Sequence, residues 1–473
     1  VTAPTEKLRP FTRLAYGAGE LGPAMAGSTM IFFQFVFLTT VAGLRADLAG
    51  TVLLIGKIWD AVNDPLIGWL SDHTRTRWGR RLPWIVLCAA PFALFFWLQW
   101  FVPGFVSAEN QWGLFAYYGL VSLIFNTFYT AVTLPHSALT PELSPDYDER
   151  SRITASRMAF SLGGSVGGLV LALVVFQFLA NVSPAAQYSA LGAAIALVGL
   201  GALAFCVAGI WRAVLERDPS LPTANRPALP EAPSLGVRDQ LRILVTNRPF
   251  LLVCGIYLFS WLAMQFTATI LQIYVTTWMG LPAQTARLLA LVVQVTALLL
   301  IPAWAWLSVR VGKKPVYFYG MTFWLAAQAG LFFVQPGQTV LMFLLGFLAG
   351  FGISVCYLIP NAMLPDTIEY DELRTGQRRE GIFYGFFVFL QKSALALGTF
   401  VVGQALSIAG YISSTGEVVA QPDSALTAIR IAIGPLPAVA ILIGMLFTWR
   451  FPITKEGHAE IRRQLAARRA QVA

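Results

Sequence analysis

Apolar runs of about twenty residues recur along this chain from one end to the other, and no other feature restricts its fold as strongly. A helix of about 20 apolar residues spans the ~30 Å hydrocarbon layer of a bilayer; a soluble core has no use for so many runs of that length. The runs predict an all-α membrane protein of twelve transmembrane helices, near 15–40, 49–70, 82–101, 112–135, 153–179, 188–211, 249–278, 285–308, 315–334, 339–362, 382–408 and 426–449. Only 12% of the 473 residues are charged, against roughly a quarter in an average soluble domain. So few charges do not cover a water-facing surface.

The formal net charge of +9 would suit a nucleic-acid binder, but its distribution does not. With both termini placed in the cytoplasm, 27 of the 33 Lys and Arg fall in cytoplasmic segments, two (Arg45 and Arg287) fall at outer loops and four lie within helices. This is the positive-inside bias that orients membrane proteins, and it supports an even number of spans. No nucleic-acid partner is expected. Cys88, Cys206, Cys254 and Cys356 sit inside apolar runs without CxxC spacing, as small packing residues rather than a disulfide framework. The first fifteen residues lack an h-region followed by a cleavage site, so no signal peptide is expected.

Between Trp211 and Arg248 the chain carries Pro219, Pro222, Pro227, Pro230 and Pro233 among mixed charges, which predicts a cytoplasmic linker. It divides the chain into an N-terminal six-helix half (1–211), the linker (212–248) and a C-terminal half with a basic tail (249–473). Leu235 to Val245 is amphipathic enough to lie along the membrane surface. The halves match at corresponding places. Arg77-Trp-Gly-Arg-Arg-Leu-Pro83 follows the second helix and Arg310-Val-Gly-Lys-Lys-Pro315 the eighth. Leu134-Pro-His-Ser-Ala-Leu-Thr-Pro-Glu142 ends the fourth helix and Ile359-Pro-Asn-Ala-Met-Leu-Pro-Asp366 the tenth. Repeats offset by six helices are a common transporter plan, with a substrate site near the midplane. Asp72, Arg77, Arg80 and Arg81 around the first of these loops are candidates for a gating latch that pairs helix ends in one state and releases them in another. Alternatively, the arginines are topology signals in a solvated loop.

Ionisable residues inside the helices cost about 2.5–3.5 kcal/mol each near the bilayer centre, so each needs a use or a partner. The second helix holds Lys57-Ile-Trp-Asp-Ala-Val-Asn-Asp-Pro65. Asp60 and Asp64 are spaced i,i+4 and share a face, with Lys57 and Asn63 beside it. Two carboxylates and an amide oxygen offer hard ligands to a monovalent cation, or hold a proton between them. A static pair of Lys57 with one Asp is the simpler alternative, and it leaves the other carboxylate uncompensated. Lys392 is deep in the eleventh helix and Arg157 lies a turn inside the fifth; both are candidates for the substrate cavity. Glu20, after Tyr16-Gly-Ala-Gly19, is a further cavity candidate. His136 reads as a packing or hydrogen-bonding residue, and Arg430 as an interface anchor.

The stretch Lys57-Ile-Trp-Asp-Ala-Val-Asn-Asp-Pro-Leu-Ile-Gly68 resembles the second-helix signature of the glycoside–pentoside–hexuronide:cation symporters, the melibiose permease family of the major facilitator superfamily. The resemblance runs through nearly the whole chain, including Arg77 to Arg81, Tyr147 to Arg157, and Leu364-Pro-Asp366 leading to Lys392. It implies a sodium-type site in which Asp60, Asn63 and Asp64 are joined by Thr130 of the fourth helix, with Lys392 and Arg157 matching the family's cavity cations. It also implies departures on the sugar side. The two carboxylates that hold a galactoside in melibiose permease are matched here by Ala24 and Thr133, and an aromatic that frames the sugar by Ser137. A branch of the family that carries lysophospholipids with sodium keeps the ion site and lacks those carboxylates. Its fourth-helix end resembles Pro135 to Thr140.

The expected function is cation-coupled symport by alternating access, with Na+ as coupling ion (H+ or Li+ as alternatives) and no cofactor. Asp60, Asn63, Asp64 and Thr130 would bind the cation, and Lys392, Arg157, Glu20, Thr133 and Ala24 would line the substrate site. A glycoside-like polar solute is the first expectation and a lysophospholipid the second; a membrane sensor without transport is a third. No intramembrane enzyme is expected, since His136 and Ser137 are neighbours without an orienting third group. The protein should act as a monomer in the cell (inner) membrane.

Overall fold

A computed structural model describes residues 8–107, 109–144, 147–217, 243–375, 380–415 and 419–472. These residues are helical apart from short connections, and they fall into two compact units, 1–231 with 411–420, and 232–410 with 421–473. Ten helical segments among them are long and apolar enough to cross a membrane. With their apolar outer faces, which include Leu120, Phe178 and Leu197, they make this an integral membrane protein. The other two of the twelve expected segments are present as helices of different character. Ala46–His73 carries Asp47, Lys57, Asp60, Asp64 and Asp72, and Leu82–Leu98 has 17 residues.

In the first unit the opening segment is broken, contrary to a single helix over 15–40. It runs as α1 (Pro10–Ala18), α2 (Leu21–Thr29), a π-helical turn (Met30–Gln34) and α3 (Phe35–Thr40). There follow α4 (Ala46–His73), α5 (Leu82–Leu98), α6 (Gln111–Ala138), α7 (Thr140–Leu143), α8 (Tyr147–Phe178) and α9 (Pro184–Arg217). The helix α6 begins where Asn110 Oδ1 accepts from Gly113 N at 2.9 Å, an N-cap that satisfies one of the orphan amides of the first turn. It packs against both α4 and α5, while α8 and α9 pack on α1 and α2. Phe37, Trp100 and Tyr188 form an aromatic cluster in this unit, with the Trp100 and Tyr188 rings stacked 5.8 Å apart.

The second unit contains α10 (Arg248–Ile273) with a π-helical turn (Tyr274–Trp278), α11 (Ala283–Val311), α12 (Lys313–Phe333), α13 (Thr339–Thr375), α14 (Glu380–Ile408), α15 (Asp423–Ile433), α16 (Pro435–Arg450) and α17 (Lys455–Val472). Asn247 caps α10 by accepting from Phe250 N at 3.0 Å, and its Nδ2 donates to Thr367 O of α13 at 3.1 Å. Three expectations are corrected here. The tenth segment does not stop near 362 but continues through Pro360 and Pro365 to Thr375. The last segment is split at Gly434. Arg287 belongs to α11 and is 8% exposed, rather than standing in an outer loop. Arg430 is also more than an interface anchor: its guanidinium donates to Phe332 O at 2.9 and 3.2 Å and lies 4.6 Å from the centre of the Trp278 ring. The proline-rich linker and most of Leu235 to Val245 lie outside the described residues.

The two matched loops share a backbone feature. Gly79 has φ of 85° and Gly312 φ of 94°, the left-handed region that side chains disfavour. Each is followed directly by two basic residues at or just before the start of the next helix. Alanine at either position should cost about 1–2 kcal/mol. In thermal unfolding, Gly79→Ala and Gly312→Ala are expected to lower Tm. Gly163→Ala, in a helix with nothing within 4 Å of its new methyl, should leave it unchanged or raise it.

Candidate functional site

The residues of α4 sort by face. Ile58, Val62, Leu66 and Trp69 are exposed on the surface of the unit, while Asp60, Asn63, Ile67 and Ser71 are buried against its interior. Asp60 is fully buried, Asn63 is 2% exposed and Asp64 half-buried. With Ala46 and His73 as the helix ends, Asp60 stands about 20 Å from either. The facing helix brings Thr130, 2% exposed, between the two carboxylates. Its Oγ1 lies 2.8 Å from Asp60 Oδ1 and 3.0 Å from Asp64 Oδ1. Lys57 Nζ is 3.8 Å from Asp60 Oδ2, a long contact for an ion pair.

One hydroxyl has one hydrogen and donates to one carboxylate at a time. The second carboxylate therefore meets a lone pair across 3 Å of buried space, beside another negative charge. Two unit charges about 4 Å apart repel by on the order of 4 kcal/mol at an effective dielectric constant near 20. A small cation among these oxygens relieves that repulsion, and the donor set of two carboxylates, an amide and a hydroxyl fits a hard monovalent ion. Asn63 Nδ2 is buried with no hydrogen-bond partner among the described residues, so this amide is not committed to the helix packing. One further polar residue was missed in the sequence. Asn126 is 2% exposed, donates to Ser122 O at 2.8 Å, and has its Oδ1 buried without a hydrogen-bond partner among the described residues. It precedes Thr130 by four residues, so helical spacing alone placed it on the same face.

The candidate substrate residues are less gathered. Thr133 is half-buried and its hydroxyl donates to Tyr129 O at 2.9 Å, back into its own helix. Ala24 is half-buried in α2 and packs where α8 passes at Gly164. Arg157, half-buried on α8, acts electrostatically on Glu20. Glu20 is turned to His136, with Oε2 3.3 Å from Nδ1. Lys392 is half-buried in α14 of the second unit. Ser137 is half-buried and bonds Leu134 O at 2.8 Å.

The loop after α4 is tied within its own unit. Arg81 pairs with Asp72 at 3.0 Å and with Glu142 of α7, and Arg80 reaches Glu142 at 2.7 Å. Arg77 stands over the Trp78 ring at 5.6 Å. Glu142 was not among the expected gating residues. The second unit carries the same construction: Lys313, at the position matching Arg80, bonds both oxygens of Asp366 at 2.7 Å. His458 of α17 adds contacts of 3.3 Å to Asp366 and 2.8 Å to Glu369.

The chain matches, over residues 15–455, a family described as MFS/sugar transport protein. An uncharacterized symporter of Synechocystis sp. (strain ATCC 27184 / PCC 6803 / Kazusa) is 43% identical, with 98% of each chain covered. The sodium-dependent lysophosphatidylcholine symporter 1-A of Danio rerio is 28% identical over 97% of this chain and 88% of its own. The human sodium-dependent lysophosphatidylcholine symporter 1 is 26% identical over 98% and 89%. Among solved structures, the nucleoside transporter NupG superposes with a TM-score of 0.64 at 14% identity, covering 94% of this chain and all of that one. A bacterial homolog of the human lysosomal transporter Spinster gives 0.66 at 12%, covering 94% and 98%. These two likenesses show the major facilitator fold.

Thr130→Val keeps the shape of the site and removes the shared hydroxyl. It should weaken Na+ binding between roughly tenfold and a hundredfold, the range for losing one hydrogen bond to a charged group. The measurement is the Na+ concentration that half-saturates the thermal stabilisation of purified protein. Thr127→Val, one turn back and bonded to Trp59 instead, should leave that concentration unchanged.

Proposed function

The chain belongs to the MFS/sugar transport protein family, and from that membership we propose that it is a sodium-coupled symporter whose substrate is an amphiphile with a charged head group, of the lysophospholipid kind. The observation that carries the reading is the Thr130 hydroxyl held between Asp60 and Asp64. In this reading Na+ binds there with Asn63, and Lys392 meets the substrate's phosphate. Ala24 and Thr133 offer no carboxylate to sugar hydroxyls, and the Thr133 hydroxyl is turned to its own helix. Relatives that match nearly the whole chain are named as sodium-dependent lysophosphatidylcholine symporters, which agrees with this choice. It reverses the order in which the sequence ranked glycoside and lysolipid.

Coupling follows from charge. Without the cation, the Asp pair resists any state that removes it further from water; with Na+ bound the site is closer to neutral, and that state becomes accessible. Each solute shifts the equilibrium between states only by its differential affinity for them, so both must favour the closed one. A second reading, transport of a glycoside or hexuronide, is favoured by the sugar-transport description of the family. Residence in the cell membrane and function as a monomer are parts of the same proposal.

Proteoliposomes with an inward Na+ gradient decide between the two readings. Uptake of fluorescent lysophosphatidylcholine should be driven by the gradient, and melibiose and a hexuronide should neither be taken up at comparable rates nor compete. Lys392→Ala should lower lysolipid affinity by roughly tenfold or more and Lys392→Arg by less, because a cation facing phosphate supplies a charge-assisted bond. Gradient-driven melibiose uptake without lysolipid uptake would overturn the substrate assignment and leave the sodium site standing.

A further inference from the structure

The break in the first apolar segment is filled by a histidine from another helix. Glu20 N bonds Gly17 O at 3.0 Å and Gly19 N bonds Tyr16 O at 3.2 Å, so the regular i−4 ladder ends there. His136 Nε2 approaches the same Tyr16 carbonyl at 3.0 Å. The ring is 1% exposed and stacks on Tyr16 with centroids 4.5 Å apart. Tyr16 in turn donates its hydroxyl to His136 O at 2.7 Å and meets Thr140 Oγ1 at 2.6 Å. A β-carbon at Gly19 would fall 2.6 Å from His136 Nε2 and 2.8 Å from Cys206 Sγ. Only glycine leaves the imidazole this place.

These contacts dictate where hydrogens must be. A carbonyl oxygen only accepts, so Nε2 bears a hydrogen. Nδ1 then faces Glu20 Oε2 at 3.3 Å. Were the ring neutral and the carboxylate ionised, two lone pairs would confront each other in a buried site. A proton between them removes the conflict. We propose that Glu20 and His136 form a proton-binding site of the first unit, separate from the Asp60–Asp64 cation site, and that at neutral pH it is occupied as an imidazolium–carboxylate pair.

Burial opposes charge on either group, and their mutual attraction with the charges and dipoles around them offsets it. Among the groups that face the pair, Arg157 of α8 acts on Glu20 as a cation. The C-terminal end of α1 presents the negative end of its dipole to the imidazolium. Cys206 of α9 lies with Sγ 3.8 Å from Tyr16 O, and Tyr129 of α6 senses the Glu20 charge. Arg13 and Glu149, 3.7 Å apart, largely balance each other a turn before Tyr16. The bound proton ties Glu20, at the start of α2, to α6, six residues or about 9 Å along the helix from Thr130. Its loss removes the charge pairing at the break, while Nε2 keeps its bond to Tyr16 O. A proton is thus a second ion to which the carrier responds.

The chain has three histidines, so nitrogen-labelled histidine can be assigned with His73→Gln and His458→Gln. Nitrogen NMR of the full-length protein in lipid nanodiscs, between about pH 5 and 9, reads the imidazole directly. Both nitrogens of His136 should carry hydrogen at neutral pH, and Glu20→Gln should strip the hydrogen from Nδ1 at that pH. A bare Nδ1 in the unsubstituted protein at neutral pH would overturn the proposal, and that observation needs no variant to fold. A protonated Nδ1 indifferent to Glu20→Gln would overturn it as well.

Discussion

A single hydroxyl shared by two carboxylates, one buried and one half-buried, is the interaction around which the first unit is arranged. Thr130 lies within 3.0 Å of both Asp60 and Asp64 and can satisfy only one of them at a time. Crowding two acids there is costly, since a charge near the centre of a membrane helix is unfavourable by about 2.5–3.5 kcal/mol. The rest of the first unit keeps the acids in place. The outward face of α4 is apolar, so the acids cannot turn to water without exposing them at the expense of Ile58, Val62, Leu66 and Trp69. The face of α6 opposite them is polar through Asn126 and Thr130.

The ends of the helices are held by a second, repeated construction. Arg80 of the loop after α4 pairs with Glu142 of α7 in one unit, and Lys313 at the start of α12 pairs with Asp366 of α13 in the other. Both loops turn through a glycine of positive φ. The pairs lie within their units, so they brace each bundle as a body.

Much of this was legible from residue order, because it rests on local spacing. Apolar run length located the helices, and the i,i+4 interval of Asp60 and Asp64 placed them on one face. Thr130 came from the family resemblance; spacing within α4 has no means of naming a residue 70 positions away. Contacts between distant segments stayed hidden for the same reason. His136 reaches Tyr16 across 120 positions and Arg80 reaches Glu142 across 62, so the histidine looked like packing and the arginines like a latch without a named acid. Helix ends were misjudged where a break is imposed by packing. The interruption at Gly19 and Glu20 exists because His136 takes a carbonyl there, and Arg287 looked peripheral because burial of an arginine depends on its tertiary neighbours.

The central claim is that Asp60 and Asp64 together hold one Na+. Equilibrium binding of radioactive sodium to the purified, lipid-reconstituted protein tests it without any assumption about the substrate. One saturable Na+ per chain is expected, with binding abolished in Asp60→Asn combined with Asp64→Asn while the variant keeps its helical content. Saturable sodium binding of unchanged stoichiometry in that double variant would contradict the account.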